Sequence, residues 1–221
     1  MEISKDHLTR VTNGLKALDV IFNKQLINYR VIGSILVASL NGKPHRILGD
    51  IDVILDEVDY KKVKLGLNNN GYALTRKQKY GFSWLEANHP NSLGFTFLLV
   101  GKFLDNYFTY KLSKNIELKI SAEYLRPTKY SLLGISFTGI PSHSIYEGLK
   151  ISSLNPKRSQ DREIVINSLG VNFPRRATLD KSFKIYFRGL ELPYTYTIFS
   201  QLYNIYGGIR VILGKKYEIW E

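Results

Sequence analysis

Two aspartates in one short segment are the residues of this chain best suited to chemistry. Asp50 and Asp52 lie within residues 47–55, a segment rich in β-branched residues that predicts a strand. Alternate residues of a strand face the same side, so the two carboxylates are expected side by side. Like charges held together repel unless a cation lies between them. Because Mg²⁺ typically binds one or two carboxylates and leaves positions for water and phosphates, we expect a divalent metal site here.

A Gly-Ser pair lies at the end of the preceding predicted strand. Tyr29–Ile32 reads as that strand and residues 35–40 as the start of a short helix, which places Gly33 and Ser34 at the junction. A glycine lets a phosphate approach the backbone, and a helix N-terminus presents free N–H groups to anionic oxygens. A phosphate cradle beside a metal-binding carboxylate pair predicts phosphoryl or nucleotidyl transfer. The simpler alternative is an ordinary strand-turn-helix followed by a polar edge strand.

The order of these motifs resembles a known family. The chain reads Ile32-Gly33-Ser34 and, after the predicted helix, Arg46-Ile47-Leu48-Gly49-Asp50-Ile51-Asp52-Val53. This pattern resembles the active-site signature of the DNA polymerase β-like nucleotidyltransferase superfamily in its small bacterial and archaeal forms. The resemblance implies that Gly33 and Ser34 hold the triphosphate of an NTP such as ATP. It also implies that Asp50 and Asp52 hold Mg²⁺ or Mn²⁺ ions that activate the attacking hydroxyl and neutralise the leaving pyrophosphate.

The family usually supplies a third carboxylate from a later strand, and here the chain departs from the pattern. The predicted strand that comes closest by position, residues 94–99, carries Thr96 where an acid is expected. Glu117, flanked by apolar residues on a nearby predicted strand, is our candidate for the third catalytic acid, and Glu86 is a further option. The competing interpretation of Glu117 is a solvent-facing residue paired with Lys119 on the same strand face.

A second, weaker resemblance involves three residues farther along the chain. Similar nucleotidyltransferases often carry a Lys on a helix, followed by an Arg-x-x-Asp segment, and Lys150, Arg158 and Asp161 match that spacing. The resemblance implies that Lys150 and Arg158 face the nucleotide phosphates, whereas Asp161 helps to position its helix, often through an Arg partner. Salt bridges on a helix surface would explain the same residues, because Arg and Asp are common near helix starts.

The composition limits the kinds of site that the chain can build. Its 221 residues are 44% hydrophobic, which is ample for a packed core. The absence of Cys excludes disulfides and thiolate metal sites, and the four His residues lack metal-ligand spacing. No apolar run is long enough to span a bilayer, and the N-terminus lacks the apolar core of a signal peptide. We therefore expect carboxylate metal ligands, a cytoplasmic location and no membrane partner.

The formal net charge of +12 favours polyanionic partners. Because the basic residues are spread along the chain, solvated faces and a nucleic-acid surface explain them equally well. The predicted function is transfer of an NMP group from an NTP to a hydroxyl acceptor with release of pyrophosphate. The acceptor stays open among a small molecule, RNA and protein, as does a homodimer or an antitoxin-type partner. The alternative is a catalytically inactive protein of this fold that binds nucleic acid or a protein.

The element pattern predicts an α+β fold with a mixed, mostly antiparallel sheet backed by helices. Residues 72–125 read as a run of antiparallel strands that extend the sheet, and residues 132–137 as a single later strand. We expect residues 1–170 to form a nucleotidyltransferase-like domain and residues 171–221 a small helical region packed on it.

The C-terminal region is predicted to contain two helices, over residues 179–188 and 194–213. The second of these carries a stripe of aromatic and aliphatic side chains. That stripe could stack on nucleobases or bind the acceptor. It could also pack on the catalytic domain or on a dimer mate, which is the more usual role of such a face.

Overall fold

The computed structural model describes residues 3–79, 82–101, 103–151, 155, 158–169, 182–193 and 195–215. Its strands are β1 Tyr29–Ile32, β2 Asp50–Asp56, β3 Ala73–Lys79, β4 Phe82–Asn88, β5 Gly94–Val100, β6 Phe103–Leu104, β7 Tyr107–Lys111, β8 Ile116–Ser121, β9 Thr128–Leu132, β10 Ile135–Gly139, β11 Phe183–Phe187 and β12 Leu190–Leu192. Its helices are α1 Lys5–Leu18, α2 Ser34–Leu40, α3 Tyr60–Asn69, α4 Ser142–Ile151, α5 Ser159–Leu169 and α6 Thr195–Ile212.

The strands form two sheets. The first has the order β3-β4-β5-β2-β1-β10-β9, in which β2 runs parallel to β5 and β1 parallel to β10, while the other pairs are antiparallel. The second has the order β12-β11-β8-β7-β6 and is antiparallel throughout. The architecture is α+β, and it confirms the fold class that the sequence predicts.

Helix α1 and a following π-helical turn at Asp19–Asn23 cover one face of the first sheet. Ile51 and Val53 of β2 point to this face and are fully buried, as are Leu15 of α1 and Phe22 of the turn. The ring of Phe22 lies 5.9 Å from that of Phe95 on β5. This apolar packing leaves the opposite face of β2 to the alternating polar side chains, because successive residues of a strand point to opposite sides.

The second sheet covers part of that opposite face, at the far end of β2. Asp56, the last residue of β2, accepts a hydrogen bond from Nη1 of Arg30 at 2.7 Å. The same guanidinium lies 4.9 Å from the ring centroid of Phe108 on β7. The N–H of Gly101 also donates to the carbonyl of Thr109 at 2.7 Å. The end of β2 that carries Asp50 and Asp52 therefore lies away from this junction.

Three element predictions are wrong. Phe183–Phe187 forms a strand rather than part of a helix, because it pairs along its whole length with β8 in the second sheet. Residues 132–137 do not form one strand, because a turn with positive φ at Leu133 and Gly134 separates the end of β9 from the start of β10. Strands β7 and β8 belong to the second sheet instead of extending the first.

The C-terminal region therefore contributes a hairpin as well as a helix. The predicted domain boundary at residue 170 lies outside the described residues. The division of the chain into two domains stays a prediction. In the described part of the chain, none of the helices combines the length and the apolar character needed to cross a bilayer.

Candidate active site

Gly33 and Asp52 meet where β1 passes into α2. Ile32 lies directly opposite Asp52 in the antiparallel β1–β2 ladder. The next residue, Gly33, therefore lies beside the Asp52 carboxylate. Gly33 has φ 73° and ψ −148°, a conformation that residues with a Cβ rarely adopt. A Cβ built on Gly33 would overlap Oδ2 of Asp52. The glycine is therefore required both by the backbone turn and by the approach of the carboxylate.

Ser34 begins α2 and is buried, with 7% of its surface exposed. Together, Gly33 and Ser34 place a bend of backbone and the first turn of a short helix against the carboxylate strand. The structure thus brings together the Gly-Ser pair and the aspartate pair, which the sequence predicts to act on the same ligand.

Asp50 lies on the same face of β2 and is held by a neighbouring strand. In the parallel β2–β5 pair, Asp50 lies opposite Gly94 and Asp52 opposite Thr96. The hydroxyl of Thr96 donates a hydrogen bond to Oδ2 of Asp50 at 2.5 Å. Thr96 therefore occupies the position beside the aspartates where an acid was expected, and its hydroxyl orients one of the two carboxylates.

Glu86 extends the same row by one strand. The antiparallel β4–β5 pairing sets Glu86 directly opposite Thr96, so Asp52, Thr96 and Glu86 lie in line across three strands. With strands about 4.8 Å apart, the Cα atoms of Asp52 and Glu86 are roughly 10 Å apart, and their side chains share one face. Nε1 of Trp84 donates to Glu86 at 2.8 Å, and Nζ of Lys77 lies 3.9 Å from the same carboxylate. These contacts fix the direction of a third carboxylate on the face that carries the aspartates.

The structure does not bring Glu117 to the aspartates. Glu117 lies on β8 of the second sheet, opposite Lys111 on one side and Tyr186 on the other. Nζ of Lys119 lies 4.5 Å from the ring centroid of Tyr186. Glu117 is therefore surrounded by strand neighbours in a sheet that does not contain β2.

Asp161 of α5 ties this helix to the loop that leads into β2. Its side chain is fully buried, and it accepts hydrogen bonds from Nε and Nη2 of Arg46 at 3.1 Å and 3.0 Å. Nε2 of His45 lies 2.6 Å from the same carboxylate, and Nη1 of Arg158 lies 3.2 Å away. Since Arg46 and His45 immediately precede the carboxylate strand, this cluster fixes the course of the chain toward Asp50.

Burial alone would raise the pKa of Asp161. The hydrogen bonds from His45 and Arg46, with the positive charges of Arg46 and Arg158, outweigh that effect and hold the pKa well below its usual range. Asp161 is therefore ionised at every pH at which the protein is expected to work. Sequence reasoning missed His45 as a member of this cluster, because its partner Asp161 is 116 positions away in the chain.

Of the two predicted basic site residues, only Arg158 has a side chain within the described part of the structure. Arg158 directs its guanidinium to Asp161. Lys150 lies near the end of α4, and its side chain is outside the described residues. The Arg-x-x-Asp spacing thus corresponds to an ion pair within the first turn of α5.

The donor set on β2 is made of oxygen atoms. Within the described residues, there is no group of three or more His, Cys, Asp and Glu side chains that could hold a metal ion alone. The carboxylates of Asp50 and Asp52, which share one strand face, would supply two ligands. This is the number that Mg²⁺ commonly takes from a protein before water and substrate phosphates complete its octahedral shell. The residues therefore fit a metal that binds together with a nucleotide.

Comparisons with known proteins agree with this architecture. No protein-family model matches the sequence, and no curated protein sequence matches it. Among solved structures, the lincomycin-bound lincosamide antibiotic adenylyltransferase LnuA superposes with a TM-score of 0.57 at 17% identity, covering 75% of this chain and 98% of that chain. The enzyme ANT(2")-Ia, in complex with adenylyl-2"-tobramycin, superposes with a TM-score of 0.52 at 11% identity, covering 72% and 87%. The chain therefore shares the fold of these two solved structures.

Proposed function

We propose that this protein transfers a nucleoside monophosphate from an NTP to a hydroxyl group and releases pyrophosphate. The contact between Gly33 and Asp52 carries the proposal. A glycine bend that a phosphate can approach and a carboxylate that can hold a divalent cation are useful together when the ligand is a metal-bound polyphosphate. Phosphoryl and nucleotidyl transfer both need the two at one place, and the resemblance of the Gly-Ser and Asp-x-Asp motifs favours nucleotidyl transfer.

The proposed step exchanges one bond at the α-phosphorus for another. The acceptor oxygen forms a bond to the α-phosphorus, and the bond from that phosphorus to the bridging oxygen breaks, so that pyrophosphate leaves with the electron pair. The acceptor hydroxyl gives up its proton to a carboxylate of the site. Asp50 and Asp52 would hold Mg²⁺ or Mn²⁺, which when bound supplies charge neutralisation for the triphosphate.

We assign the third carboxylate to Glu86 in preference to Glu117. Glu86 lies in line with Thr96 and Asp52 on the face of the first sheet that carries the aspartates, whereas Glu117 lies on the second sheet. In this proposal Glu86 receives the acceptor proton. Thr96 keeps Asp50 turned toward the nucleotide through its hydrogen bond.

The roles of the basic residues follow from their surroundings. Because Arg158 already bonds to buried Asp161, we propose that it positions α5 and contributes positive potential rather than a direct phosphate contact. Lys150 stays the predicted basic partner of the triphosphate. One of the two structural neighbours is named an adenylyltransferase and the other is bound to an adenylyl-tobramycin, which makes ATP the first NTP to test.

A second candidate function rests on Thr96. A hydroxyl in place of the expected acid is the change that would turn such a fold into a non-catalytic binder of nucleic acid or protein. The net charge of +12 suits a polyanion. Nucleic-acid binding of that kind weakens steeply with salt, whereas NTP binding depends chiefly on the metal.

Turnover with labelled NTPs tests the proposal. The protein is incubated with each α-labelled NTP, with Mg²⁺ or Mn²⁺, and with separate acceptors: an aminoglycoside, a lincosamide, a short RNA and a protein mixture. We expect metal-dependent release of pyrophosphate and transfer of label to one acceptor class, reduced by at least about 10²-fold in Asp50→Asn and in Asp52→Asn. Asp105→Asn, an isosteric change in an exposed turn, is the matched control. Salt-sensitive RNA binding without pyrophosphate release would favour the second candidate.

A further inference from the structure

Helix α6 exposes a stripe of large aliphatic side chains. In a helix that only covers its own domain, the apolar stripe faces the core. In α6, buried positions include Asn204 and Gly207, and the exposed fractions of five large aliphatic side chains are 52%, 61%, 57%, 50% and 85% for Ile198, Leu202, Ile205, Ile209 and Ile212. We call these five residues the α6 seam. Packing within the described part of the chain does not account for it.

The spacing of the α6 seam is that of a helix-pairing surface. Its members follow one another at intervals of four, three, four and three residues. This is the alternation by which apolar residues stay on one side of a helix that packs along a second helix. Since α6 has 18 residues, the seam runs along a helix about 27 Å long.

The α6 seam is self-complementary in the antiparallel direction. The outermost members, Ile198 and Ile212, are equally far from the central Ile205, and the inner members, Leu202 and Ile209, are three and four residues from it. A second copy of α6 running the opposite way would set Ile205 against Ile205, Leu202 against Ile209, and Ile198 against Ile212. A pairing related by a two-fold axis would therefore match every member of the seam with another member.

The single charge of α6 favours the antiparallel direction. Arg210 is the one charged residue in Thr195–Ile212, and its guanidinium lies 5.8 Å from the ring centroid of Tyr206. In a parallel pair the two Arg210 side chains would lie at the same level, and their repulsion would add to that of two chains each carrying +12. In an antiparallel pair they would be roughly 15 Å apart along the axis, which is beyond the distance at which salt screens most of the repulsion.

A glycine within α6 points to the close approach of another helix. Glycine in a helix interior costs about 0.5–1 kcal/mol relative to alanine. A Cβ at Gly208 would meet nothing within 4 Å, so packing among the described residues gives no reason for the missing side chain. A second helix lying against α6 would use the space.

The exposed area is close to what a dimer needs. Tyr206 and Leu213 are also 49% and 65% exposed, and they flank the α6 seam. With each large apolar side chain exposing on the order of 100 Å², the helix offers on the order of 700 Å² per copy. Standard interfaces bury roughly 800 Å² per partner, so the contact should be of moderate strength.

We propose that two copies of this chain associate through the α6 seam as an antiparallel, two-fold symmetric pair. The proposal does not depend on nucleotidyl transfer, because it uses no residue of the candidate active site. It also assigns a partner to the stripe on this helix, in place of nucleobases or an acceptor.

Single-cysteine variants test the geometry, because the natural chain has no cysteine that could react in the background. A short bifunctional thiol reagent should cross-link Ile205→Cys with itself. Ile198→Cys alone and Ile212→Cys alone should stay uncross-linked, whereas an equal mixture of the two should yield a covalent dimer. Equally efficient cross-linking of Ile198→Cys with itself and of Ile212→Cys with itself would overturn the antiparallel arrangement.

Sedimentation tests whether the pair forms at all. We expect the wild type to pass from monomer to dimer at micromolar concentrations, and Leu202→Glu to stay monomeric. Leu65→Glu on α3 is the matched control, since Leu65 is a helix-surface leucine that is 62% exposed against 61% for Leu202; it should dimerise like the wild type. A wild type that stays monomeric up to about 100 μM would overturn the proposal. The proposal would then be wrong even if α6 binds a different protein.

Discussion

The position of Gly33 is compatible with that of Asp52 only because Gly33 has no side chain. A Cβ at residue 33 would overlap the Asp52 carboxylate, and the φ of 73° would strain any other residue. The relationship follows from the β1–β2 ladder, which places Ile32 opposite Asp52 and so directs the next peptide past the carboxylate. In this way one tight contact couples the turn before α2 to the strand that carries both aspartates.

Gly33→Ala should therefore remove metal-dependent NTP binding. The added methyl group must displace either the Asp52 carboxylate or the backbone turn, and either movement separates the two parts of the site. The backbone conformation of residue 33 adds about 1–3 kcal/mol of destabilisation. Calorimetry measures the binding, and urea unfolding measures the stability.

Gly42→Ala separates the two effects. Gly42 also has a positive φ, of 75°, but a Cβ there would meet nothing within 4 Å. We expect a similar loss of stability with NTP binding retained. Unchanged NTP binding in Gly33→Ala would contradict the role given to the contact with Asp52.

Asp161→Asn should lower the free energy of unfolding by about 3 kcal/mol, because it leaves Arg46 and its neighbours around a buried, uncharged amide. The loop before β2 should also loosen, so that NTP binding weakens although residue 161 need not touch the nucleotide. Glu163→Gln, an exposed change on the same helix, is the control and should alter neither the free energy of unfolding nor NTP binding. Urea unfolding of both variants checks the prediction.

The lowered pKa of Asp161 predicts that the protein becomes less stable at acid pH. The pKa of Asp161 is lower in the folded protein than the ordinary value of 3.8, so the unfolded chain binds its proton more readily. The stabilisation is complete above about pH 4 and is lost as the pH falls toward the lower, folded-state pKa. Unfolding free energies measured between pH 6 and pH 3 should decline in the wild type, and the part of this decline due to residue 161 should vanish in Asp161→Asn.

Two glutamates compete for the role of third acid, and matched amide variants distinguish them. Glu86→Gln should reduce pyrophosphate release by about 10²-fold or more if its carboxylate receives the acceptor proton. Glu117→Gln, which changes a strand residue of the second sheet in the same way, should leave the rate nearly unchanged. The opposite ranking would return the role to Glu117 and contradict our assignment.

Sequence reasoning predicts the centre of the site because its signals are local. A strand, a glycine turn and an alternating carboxylate strand follow one another between Tyr29 and Leu55, and each is recognised from a few neighbouring residues. The structure brings Gly33, Asp50 and Asp52 together as that pattern predicts. The fold class follows from the same local signals.

The remainder depends on pairings between distant segments. Whether Glu86 or another residue lies opposite Thr96 is decided by the register of the β4–β5 hairpin, and a slip of one residue would turn Glu86 to the other face. The buried contact of His45 with Asp161 joins residues 116 positions apart. Phe183–Phe187 becomes a strand because it pairs with β8, a partner that its own sequence does not reveal.

Binding of each NTP, measured by calorimetry with and without Mg²⁺, tests the central claim most directly. The wild type should bind at least one NTP with an affinity that depends on the metal. The Asp50→Asn/Asp52→Asn double variant, shown by circular dichroism to be folded, should lose that dependence. A folded wild type that binds no NTP in the presence of Mg²⁺, or a double variant that binds as the wild type does, would contradict the account.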